Sequence, residues 1–243
     1  MLRHAQSVAN TKGILAGQDN SVQLSKDGHK QAQMLAPYLS KLKINRIYSS
    51  PLTRCIQTIQ PYMQLNPDLD FEIDENFIEM DYGKWSGKKL SVLARDRRWR
   101  SVQNKPSTFT FPQGESFRSM RKRVDLALTE LSKEKGVVLI VTHGDIIKMS
   151  LASALGLPID RFQKFVAEPA SLTVINLGKN NSTVLQTNYK ISSEIAQKFK
   201  QNQLGGGNSL SASTKWACWP TGANNSFSTL TESFNLIDLK CGN

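Results

Sequence analysis

Two of the three histidines in the chain lie in sequence contexts that could form part of a reaction site. His143 follows the apolar run Val137–Thr142 and precedes Gly144, so it lies at a strand's carboxyl end, where open α/β sheets bind ligands. His4 follows Arg3 and leads into a polar loop. A neutral imidazole is a nucleophile near pH 7, and phosphoryl transfer can use two such histidines. Taken alone, either histidine is better explained as an ordinary surface or hydrogen-bonded residue.

An arginine and a glutamate strengthen the phosphoryl-transfer interpretation. Arg54 ends the segment Ser49–Arg54, another strand end that opens into a helix, and its fixed fork of donors suits phosphate recognition. Glu79 lies among apolar and aromatic neighbours in Phe77–Trp85, and such burial raises the pKa of a carboxyl group. A glutamate that keeps its proton near neutral pH can donate it to a leaving group. The alternative for Arg54 is a surface arginine at a helix start.

Short apolar runs alternate with helix-period segments, which predicts an α/β fold around a largely parallel sheet. The best strand candidates are Ile44–Ser49, Val137–Thr142, Leu172–Leu177 and Val184–Tyr189. Helical spacing predicts helices at Thr53–Gln60, Phe117–Leu131 and Asp145–Leu155. Pro61 should stop the first of these helices, and Gly156 and Pro158 should end the last.

A further helix is predicted early in the chain, after the polar loop that begins at His4. Its apolar positions are Ala32, Leu35, Leu39 and Leu42. Ser25 or Asp27 would cap its N-terminus, and Pro37 should kink it or interrupt its hydrogen bonding.

Length and composition favour one catalytic domain. A chain of 243 residues with 39% hydrophobic content can bury one good core. No stretch reaches the roughly 18 apolar residues of a membrane helix, and the N-terminus lacks a secretory signal, so we expect a cytoplasmic protein without a membrane partner. Cys55, Cys218 and Cys241 are few and far apart, which indicates reduced thiols and neither a disulfide framework nor a metal site.

The formal net charge of +11 is compatible with nucleic-acid contact, with attraction of anionic substrates, or with neither. The densest basic stretches, Arg95–Arg100 and Arg118–Arg123, have a helical pattern and lack interleaved aromatic residues. A solvated basic face is therefore favoured over a nucleic-acid groove.

The regular pattern weakens after about Tyr189, and the composition changes beyond Leu204. Of the 39 residues in 205–243, 20 are Gly, Ser, Thr or Asn, which predicts a flexible tail. Residues 191–204 would form a short helix or a linker. Four aromatic residues leave a docking role open for the tail: Trp216, Trp219, Phe227 and Phe234.

In order, spacing and local sequence, residues 1–190 resemble the histidine phosphatase superfamily, also called the phosphoglycerate mutase-like family. Leu2–Asn10 resembles its signature loop, Ser49–Thr58 its second-arginine segment, Asp81–Gly87 the stretch after its acid, and Thr142–Gly144 its second-histidine motif. Three shorter segments look closest to an actinobacterial branch labelled as probable phosphoglycerate mutase or phosphomutase: Leu15–Gly17, Gly114–Ser116 and Glu168–Ser171.

The resemblance implies a three-layer α/β/α sandwich with a mostly parallel central sheet. It also implies that His4 attacks phosphorus to form a phosphohistidine, and that Glu79 protonates the leaving alcohol and then assists the water that cleaves the intermediate. The residues that would contact the phosphate are Arg3, Asn10, Gly17, Arg54, His143 and Gly144. No metal or other cofactor is needed, the partner would be a small phosphorylated metabolite and not a nucleic acid, and a homodimer stays open.

Two departures from the family pattern bear on His4. Ala5 stands where the family usually has Gly, and a Cβ there would hinder close backbone approach or a positive φ, which predicts a lower rate. Met1 and Leu2 leave little of the central strand, so we hypothesise that the natural start lies upstream and that His4 lies on a frayed terminus.

Three functions stay open within this resemblance. Only 63 residues separate Glu79 from His143. In true phosphoglycerate mutases this segment has a larger insertion that closes the pocket. The short segment therefore favours a phosphatase over a mutase. The third possible function is that of a phosphate-binding relative that does not catalyse turnover. Specificity would come from Lys88–Phe111. Four aromatic residues in or near this segment could line the pocket, but we expect most of them to serve in core packing: Trp85, Trp99, Phe109 and Phe111.

Overall fold

The structure is a computed structural model that describes residues 1–178 and 182–191. The predicted tail at 205–243 and all but residue 191 of the predicted linker lie outside these residues, as do Cys218 and Cys241. Cys55 is a buried free thiol. Among the described residues, no helix has the length and apolar character to cross a membrane.

Six strands form one sheet in the order β3-β2-β4-β1-β5-β6. Their bounds are β1 Leu2–Arg3, β2 Ile44–Ser49, β3 Asp70–Ile73, β4 Val137–Thr142, β5 Ser171–Asn176 and β6 Thr183–Lys190. The first four strands in this order are parallel, whereas β5 runs antiparallel to both β1 and β6. Of the four predicted strands, β2 and β4 are confirmed to the residue and β5 and β6 to within one residue at each end.

Seven α-helices connect the strands within the described part of the chain. They are α1 Val8–Thr11, α2 Lys26–Leu39, α3 Thr53–Leu65, α4 Leu90–Leu93, α5 Trp99–Asn104, α6 Phe117–Leu131 and α7 Gly144–Ala154. Short 3₁₀ helices occupy Glu75–Phe77, Gly83–Trp85, Pro106–Thr108 and Ile159–Lys164. The predicted bounds of α6 are confirmed, and those of α7 are shifted by one residue.

The helices cover both faces of the sheet, which confirms the three-layer α/β/α arrangement. On one face, α2 and α3 bury Leu35 and Ile59 against Ile47 of β2. On the other face, α6 and α7 pack Val124 and Ile146 against the sheet. Parallel strands covered in this way end at one common edge, and the functional loops follow that edge.

The predicted ends of two helices are wrong. Helix α3 continues through Pro61 to Leu65, because one missing N–H costs less than losing the burial of Tyr62, which is 3% exposed. Helix α2 is capped by Ser25, whose side chain accepts the Gly28 N–H, and contains Pro37 as an interior residue. It ends three residues before Leu42, since the chain must turn there to enter β2.

The basic stretch Arg95–Arg100 is not one helix. Helix α4 ends before it at Leu93, and α5 begins at Trp99. The Asp96 carboxylate accepts the backbone N–H of Arg98 at 2.9 Å, which is a local turn that competes with helix continuation. In contrast, Arg118–Arg123 lies within α6, as predicted.

Candidate active site

The backbone of His4 is held by strands on both sides of β1. Its N–H donates to the carbonyl of Thr142 at 2.9 Å, and its carbonyl accepts from Ala170 N–H at 3.2 Å. Leu2 has no exposed surface. The expectation that His4 lies on a frayed terminus is therefore wrong, since even two strand residues pair with β4 and β5.

One of the two nitrogens of the His4 imidazole is fixed by a hydrogen bond and the other is not. Its Nδ1 lies 2.7 Å from the carbonyl oxygen of Ala5, and because a carbonyl only accepts, Nδ1 carries the proton. Nε2 keeps its lone pair, and it makes no hydrogen bond with the residues the structure describes. Burial, reinforced by the positive charges of Arg3 and Arg54, holds the pKa of His4 well below its usual value. The ring is thus a neutral imidazole on the cavity wall, with its unprotonated nitrogen able to act as a nucleophile.

The methyl group of Ala5 is accommodated without backbone strain. Among the described non-glycine residues, positive φ occurs at Gln113, Ala170 and Asn188. Ala5 is fully buried, and its N–H donates to the Thr58 hydroxyl at 2.9 Å. The structure thus removes a positive φ at Ala5 as a source of strain, and the lower rate expected from hindered close approach stays a prediction.

Two guanidinium groups face the same cavity. Arg54 is 2% exposed and is fixed by donating to the carbonyls of Gly17 at 2.7 Å and Asp19 at 3.1 Å. Arg3 donates through Nη1 to the carbonyl of Ala167 at 2.5 Å. Its Nε is buried without a hydrogen-bond partner among the described residues. A buried, unsatisfied cationic donor is costly unless a ligand acceptor pairs with it, which indicates an anion-binding position.

Glu79 is the carboxyl group of the cavity with the strongest reason to hold a proton. It is 8% exposed, and Oε1 accepts the backbone N–H of Met80 at 3.0 Å. Burial, with a smaller contribution from the neighbouring Asp145 carboxylate, raises the pKa of Glu79 to about 7. Both protonation states are therefore populated near neutral pH, as a residue that alternates between acid and base requires.

His143 lies beside His4 and is not among the residues that line the cavity. It is fully buried, with its ring centroid 5.2 Å from that of His4. Its Nε2 is 2.7 Å from the Ser50 hydroxyl and 3.5 Å from the sulfur of Cys55. The phosphate contact expected for His143 from the sequence stays a prediction; in the structure its ring is buried beside that of His4.

The three other expected phosphate contacts do line the cavity. Asn10 accepts from the Ser7 N–H at 3.0 Å through Oδ1, so its amide N–H groups are available to a ligand. Gly17 has a φ of +56°, and a Cβ there would lie 2.7 Å from the Ser86 hydroxyl. Gly144 begins α7, where the first backbone N–H groups of a helix have no internal partner.

The cavity has a volume of about 300 Å³, and one side of it is apolar. The apolar wall consists of Ile14, Leu15, Leu90, Trp99, Val102 and Phe111. Trp85 stacks on Trp99 with ring centroids 5.9 Å apart, and Phe109 packs edge-on against Phe111 at 5.0 Å. Of the four aromatic residues considered for the pocket, Trp99 and Phe111 line it, and Trp85 and Phe109 pack behind them.

Within the described residues, no group of three or more His, Cys, Asp and Glu side chains could hold a metal ion.

The polar wall of the cavity contains residues that sequence reasoning did not select. The Tyr82 hydroxyl donates to Asp145 Oδ2 at 2.9 Å, and the Lys148 ammonium pairs with Asp145 Oδ1 at 3.2 Å. Lys148 also donates to Gln163 Oε1 at 3.2 Å. The three-residue spacing of Asp145 and Lys148 in the helix after His143 was an available signal. Gln163 lies in a 3₁₀ helix far along the chain, where no pattern marks it.

Gly28 lets α2 approach the loop that carries His4. Its φ is ordinary, but an added Cβ would collide with the carbonyl oxygen of Gln6, which also accepts the Ser25 N–H at 2.9 Å. Replacing Gly28 with Ala gains about 1 kcal/mol of helix propensity but loses about 1–3 kcal/mol through overpacking against backbone. The added Cβ would lie well inside van der Waals contact with this backbone, so we expect the upper end of that cost and a net loss of stability of about 2 kcal/mol by urea unfolding. The exposed Gln33→Ala change in the same helix is the control, and unaltered stability of Gly28→Ala would contradict the steric reading.

Comparison with known proteins agrees with this geometry. The family model of the histidine phosphatase superfamily (branch 1) matches residues 1–190. The chain is 31% identical over 195 residues to phosphoserine phosphatase 1 of Hydrogenobacter thermophilus, covering 77% of this chain and 90% of that protein. It is 27% identical over 177 residues to the 2,3-bisphosphoglycerate-dependent phosphoglycerate mutase of Thermoplasma acidophilum, covering 73% and 86%.

Among solved structures, a mycobacterial glucosyl-3-phosphoglycerate phosphatase superposes with a TM-score of 0.70 at 26% identity, covering 77% of this chain and 96% of that one. The family model covers most of the chain, the phosphoserine phosphatase aligns with 77% of it, and the superposed structure has the same fold. The chain belongs to the histidine phosphatase superfamily.

Proposed function

We propose that this protein hydrolyses phosphomonoesters of small metabolites through a phosphohistidine on His4, with Glu79 as proton donor. The observation that carries the proposal is the tautomer of His4, which the Ala5 carbonyl sets so that the lone pair of Nε2 is free at the cavity. Glu79, with a pKa raised to about 7, lines the same cavity.

In the first step, Nε2 of His4 attacks phosphorus while the bond from phosphorus to the ester oxygen breaks. The electron pair of that bond passes to the leaving oxygen, which takes the Glu79 proton and departs as an alcohol. In the second step, water attacks the phosphohistidine and gives a proton to the Glu79 carboxylate. The bond from phosphorus to nitrogen breaks, its electron pair returns to Nε2, and inorganic phosphate leaves.

Charge on the transferring oxygens is offset by groups that are already in place. Arg54 is fixed by two backbone carbonyls, and the unpaired Nε of Arg3 is a buried donor. The first backbone amides of α7 at Gly144 add partial positive charge. Donors arranged before the reaction stabilise developing charge without reorganisation, which is the largest contribution to catalysis in many enzymes.

Hydrolysis of an alkyl phosphate should decline above neutral pH. Only protonated Glu79 can give a proton to the leaving oxygen, and this form is lost as pH rises through the pKa of about 7. His4 stays neutral across this range because its pKa lies well below the usual value. We expect kcat/KM to fall about tenfold for each pH unit above this pKa, measured as phosphate release between pH 5 and 9.

The substrate phosphate also loses its second proton near this pH range. A variant without the Glu79 carboxyl group separates the titration of Glu79 from that of the substrate. The Glu79→Gln protein should lose the limb near pH 7 and keep any limb due to the substrate. A profile that is the same in wild type and variant would assign the limb to another group.

A mutase is the second candidate, favoured by the 27% identity to a phosphoglycerate mutase. Both reactions share the phosphohistidine and differ in whether water or a second alcohol accepts the phosphoryl group. Incubation with 2,3-bisphosphoglycerate and 3-phosphoglycerate distinguishes them: net release of phosphate supports the phosphatase, and interconversion to 2-phosphoglycerate supports the mutase.

Trapping the covalent intermediate tests the shared step and the third candidate, a phosphate-binding relative without turnover. The enzyme is mixed with a phosphomonoester, quenched under alkaline denaturing conditions in which phosphohistidine survives, and digested for mass spectrometry. We expect one added phosphoryl group on the peptide that contains His4. Phosphate binding with neither this adduct nor phosphate release would overturn the enzymatic proposal.

A further inference from the structure

The loop that carries Glu79 has no regular secondary structure of its own. Residues 78–82 lie between the two 3₁₀ helices Glu75–Phe77 and Gly83–Trp85. Backbone groups in such a segment are not held by the hydrogen bonds of a helix or a sheet, yet a proton donor must stay within reach of one leaving oxygen. The side chains that bind this loop therefore bear directly on the position of Glu79.

The Arg123 guanidinium holds three backbone carbonyls around Glu79. Its Nη1 donates to the carbonyls of Asn76 at 2.6 Å and Ile78 at 2.8 Å. Its Nη2 donates to the carbonyl of Glu79 at 3.4 Å. The sequence placed Arg123 in the basic stretch Arg118–Arg123, for which a solvated face was favoured. This side chain is only 17% exposed, and it binds a loop that lies 44 to 47 positions earlier in the chain.

Glu115 binds the same loop on the other side of Glu79. Its carboxylate accepts Arg123 Nε at 2.9 Å and Nη2 at 3.1 Å, a two-point ion pair in which the Glu115 side chain is 15% exposed. The backbone N–H of Glu115 donates to the Asp81 carbonyl at 2.9 Å. Gly114 packs so closely on this carbonyl that an added Cβ would lie 2.5 Å from its oxygen. The ion pair thus fixes the backbone before and after Glu79.

The ion pair holds the loop without placing a net charge beside it. A lone guanidinium at the Glu79 carbonyl would favour the ionised carboxyl group and lower its pKa. Because Glu115 offsets the charge of Arg123, burial can raise the pKa of Glu79 to about 7. The other charged or titratable groups that face the Glu79 carboxyl group are Asp145, Arg54, Arg3, Tyr82 and Cys55. These groups are the same in every variant tested below.

We propose that Arg123 and Glu115 are positioning residues for the proton donor, which hold the backbone of Glu79 at the cavity while each offsets the charge of the other. Neither residue is among those that line the cavity, so they act through Glu79 and not on the substrate. This inference rests on the proposed phosphatase function and adds the residues that place its acid.

Replacing Arg123 with Met is expected to lower kcat/KM for an alkyl phosphate by about 10- to 100-fold, because a displaced Glu79 no longer reaches the leaving oxygen. The loss should be much smaller for p-nitrophenyl phosphate, whose leaving group needs no proton. Arg123→Lys keeps the charge without the two-point fork and should recover part of the loss on the alkyl phosphate. Equal losses on both substrates in Arg123→Met would overturn the inference.

Arg121→Met is the matched control. Arg121 lies two residues earlier in α6, is 20% exposed and pairs with Asp125 at 2.8 Å, but the backbone carbonyl that it binds is that of Leu157. Its replacement should leave the ratio of the two kcat/KM values as in wild type. A ratio that changes as much in Arg121→Met as in Arg123→Met would overturn the inference, since any lost arginine of α6 would then have the same effect.

The two halves of the ion pair should move the pH dependence in opposite directions. Arg123→Met leaves the Glu115 carboxylate uncompensated, which raises the pKa of Glu79, so kcat/KM for the alkyl phosphate should begin to fall at higher pH. Glu115→Gln leaves the guanidinium uncompensated, which lowers that pKa, so the fall should begin at lower pH. We expect shifts of about 0.5 pH unit. A limb that stays in place in both variants, or moves the same way in both, would overturn the inference.

Thermal unfolding shows whether each variant is folded. If Arg123→Met does not fold, Arg123→Lys and Glu115→Gln replace it, and a wild-type rate ratio in the first together with a wild-type pH limb in the second would overturn the inference.

Failure of the proposed function gives a different result from failure of this inference. If wild type releases no phosphate in a reaction that needs His4, the phosphatase proposal fails. The titration of Glu79 is then followed by carbon-13 NMR of the carboxyl groups, with Glu79→Gln to assign its signal. Opposite shifts of the Glu79 pKa in Arg123→Met and Glu115→Gln would sustain the inference, and an unchanged pKa would reject it.

Discussion

Replacing His4 with Ala is expected to lower kcat for phosphomonoester hydrolysis by about 10⁴-fold or more, because the change removes the only atom that forms a bond to phosphorus in the proposed first step. Substrate binding should suffer less, since Arg3, Arg54 and the first amides of α7 remain. The measurement is phosphate release under saturating substrate, together with loss of the covalent adduct. His4 is buried, so thermal unfolding must show that the variant is folded.

The third histidine of the chain supplies the matched control for this variant. His29 is exposed in α2, and His29→Ala should retain wild-type kcat and adduct formation. An active, adduct-forming His4→Ala protein would eliminate His4 as the nucleophile.

Replacing Glu79 with Gln is expected to slow hydrolysis of alkyl phosphates by about 10²- to 10⁴-fold, the usual contribution of a positioned acid or base. The loss should be smaller for p-nitrophenyl phosphate, whose phenolate leaves without needing a proton. This difference is the informative measurement, since a purely structural defect would slow both substrates alike. With the activated ester, the second step should become limiting and the phosphohistidine should accumulate, because Glu79 also assists the attacking water.

Glu75→Gln is the control for Glu79→Gln, because Glu75 is an exposed glutamate in the neighbouring 3₁₀ helix. It should behave as wild type with both esters. Equal losses on alkyl and nitrophenyl phosphates in Glu79→Gln would argue against proton donation and for a role in holding the site together.

The sequence predicted the parts of the site that are set by local pattern. Val137–Thr142 is an apolar run and Ile44–Ser49 is a mixed strand segment; each ends in a polar residue, and parallel pairing brings such ends to one edge. That rule was enough to expect Arg54 near His143. The proton-donor role of Glu79 was also expected from its apolar neighbours, and its burial in the structure supports the raised pKa.

What the sequence could not predict depends on contacts between distant segments. The depth of His143 follows from its contact with Ser50, 93 residues earlier, and the position of Gln163 follows from its bond to Lys148. Helix α3 passes through Pro61 because burial of Tyr62 outweighs a local rule. In each case tertiary packing decides the outcome, and local propensity does not contain that information.

Strand β1, which leads into His4, is synthesised before both of its neighbours in the sheet, β4 and β5. Arg3 pairs with Thr142 and Leu2 with Leu172, which are 139 and 170 positions later in the chain. At synthesis rates of about 5–20 residues per second, roughly ten to thirty seconds pass before both neighbours exist. Until β4 is made, β1 has no neighbour with which to pair, and until β5 follows, it has a neighbour on one side alone. A nascent chain that ends before β5 would therefore contain every expected phosphate-binding residue, but the backbone of His4 would have its bond to Thr142 without the one from Ala170.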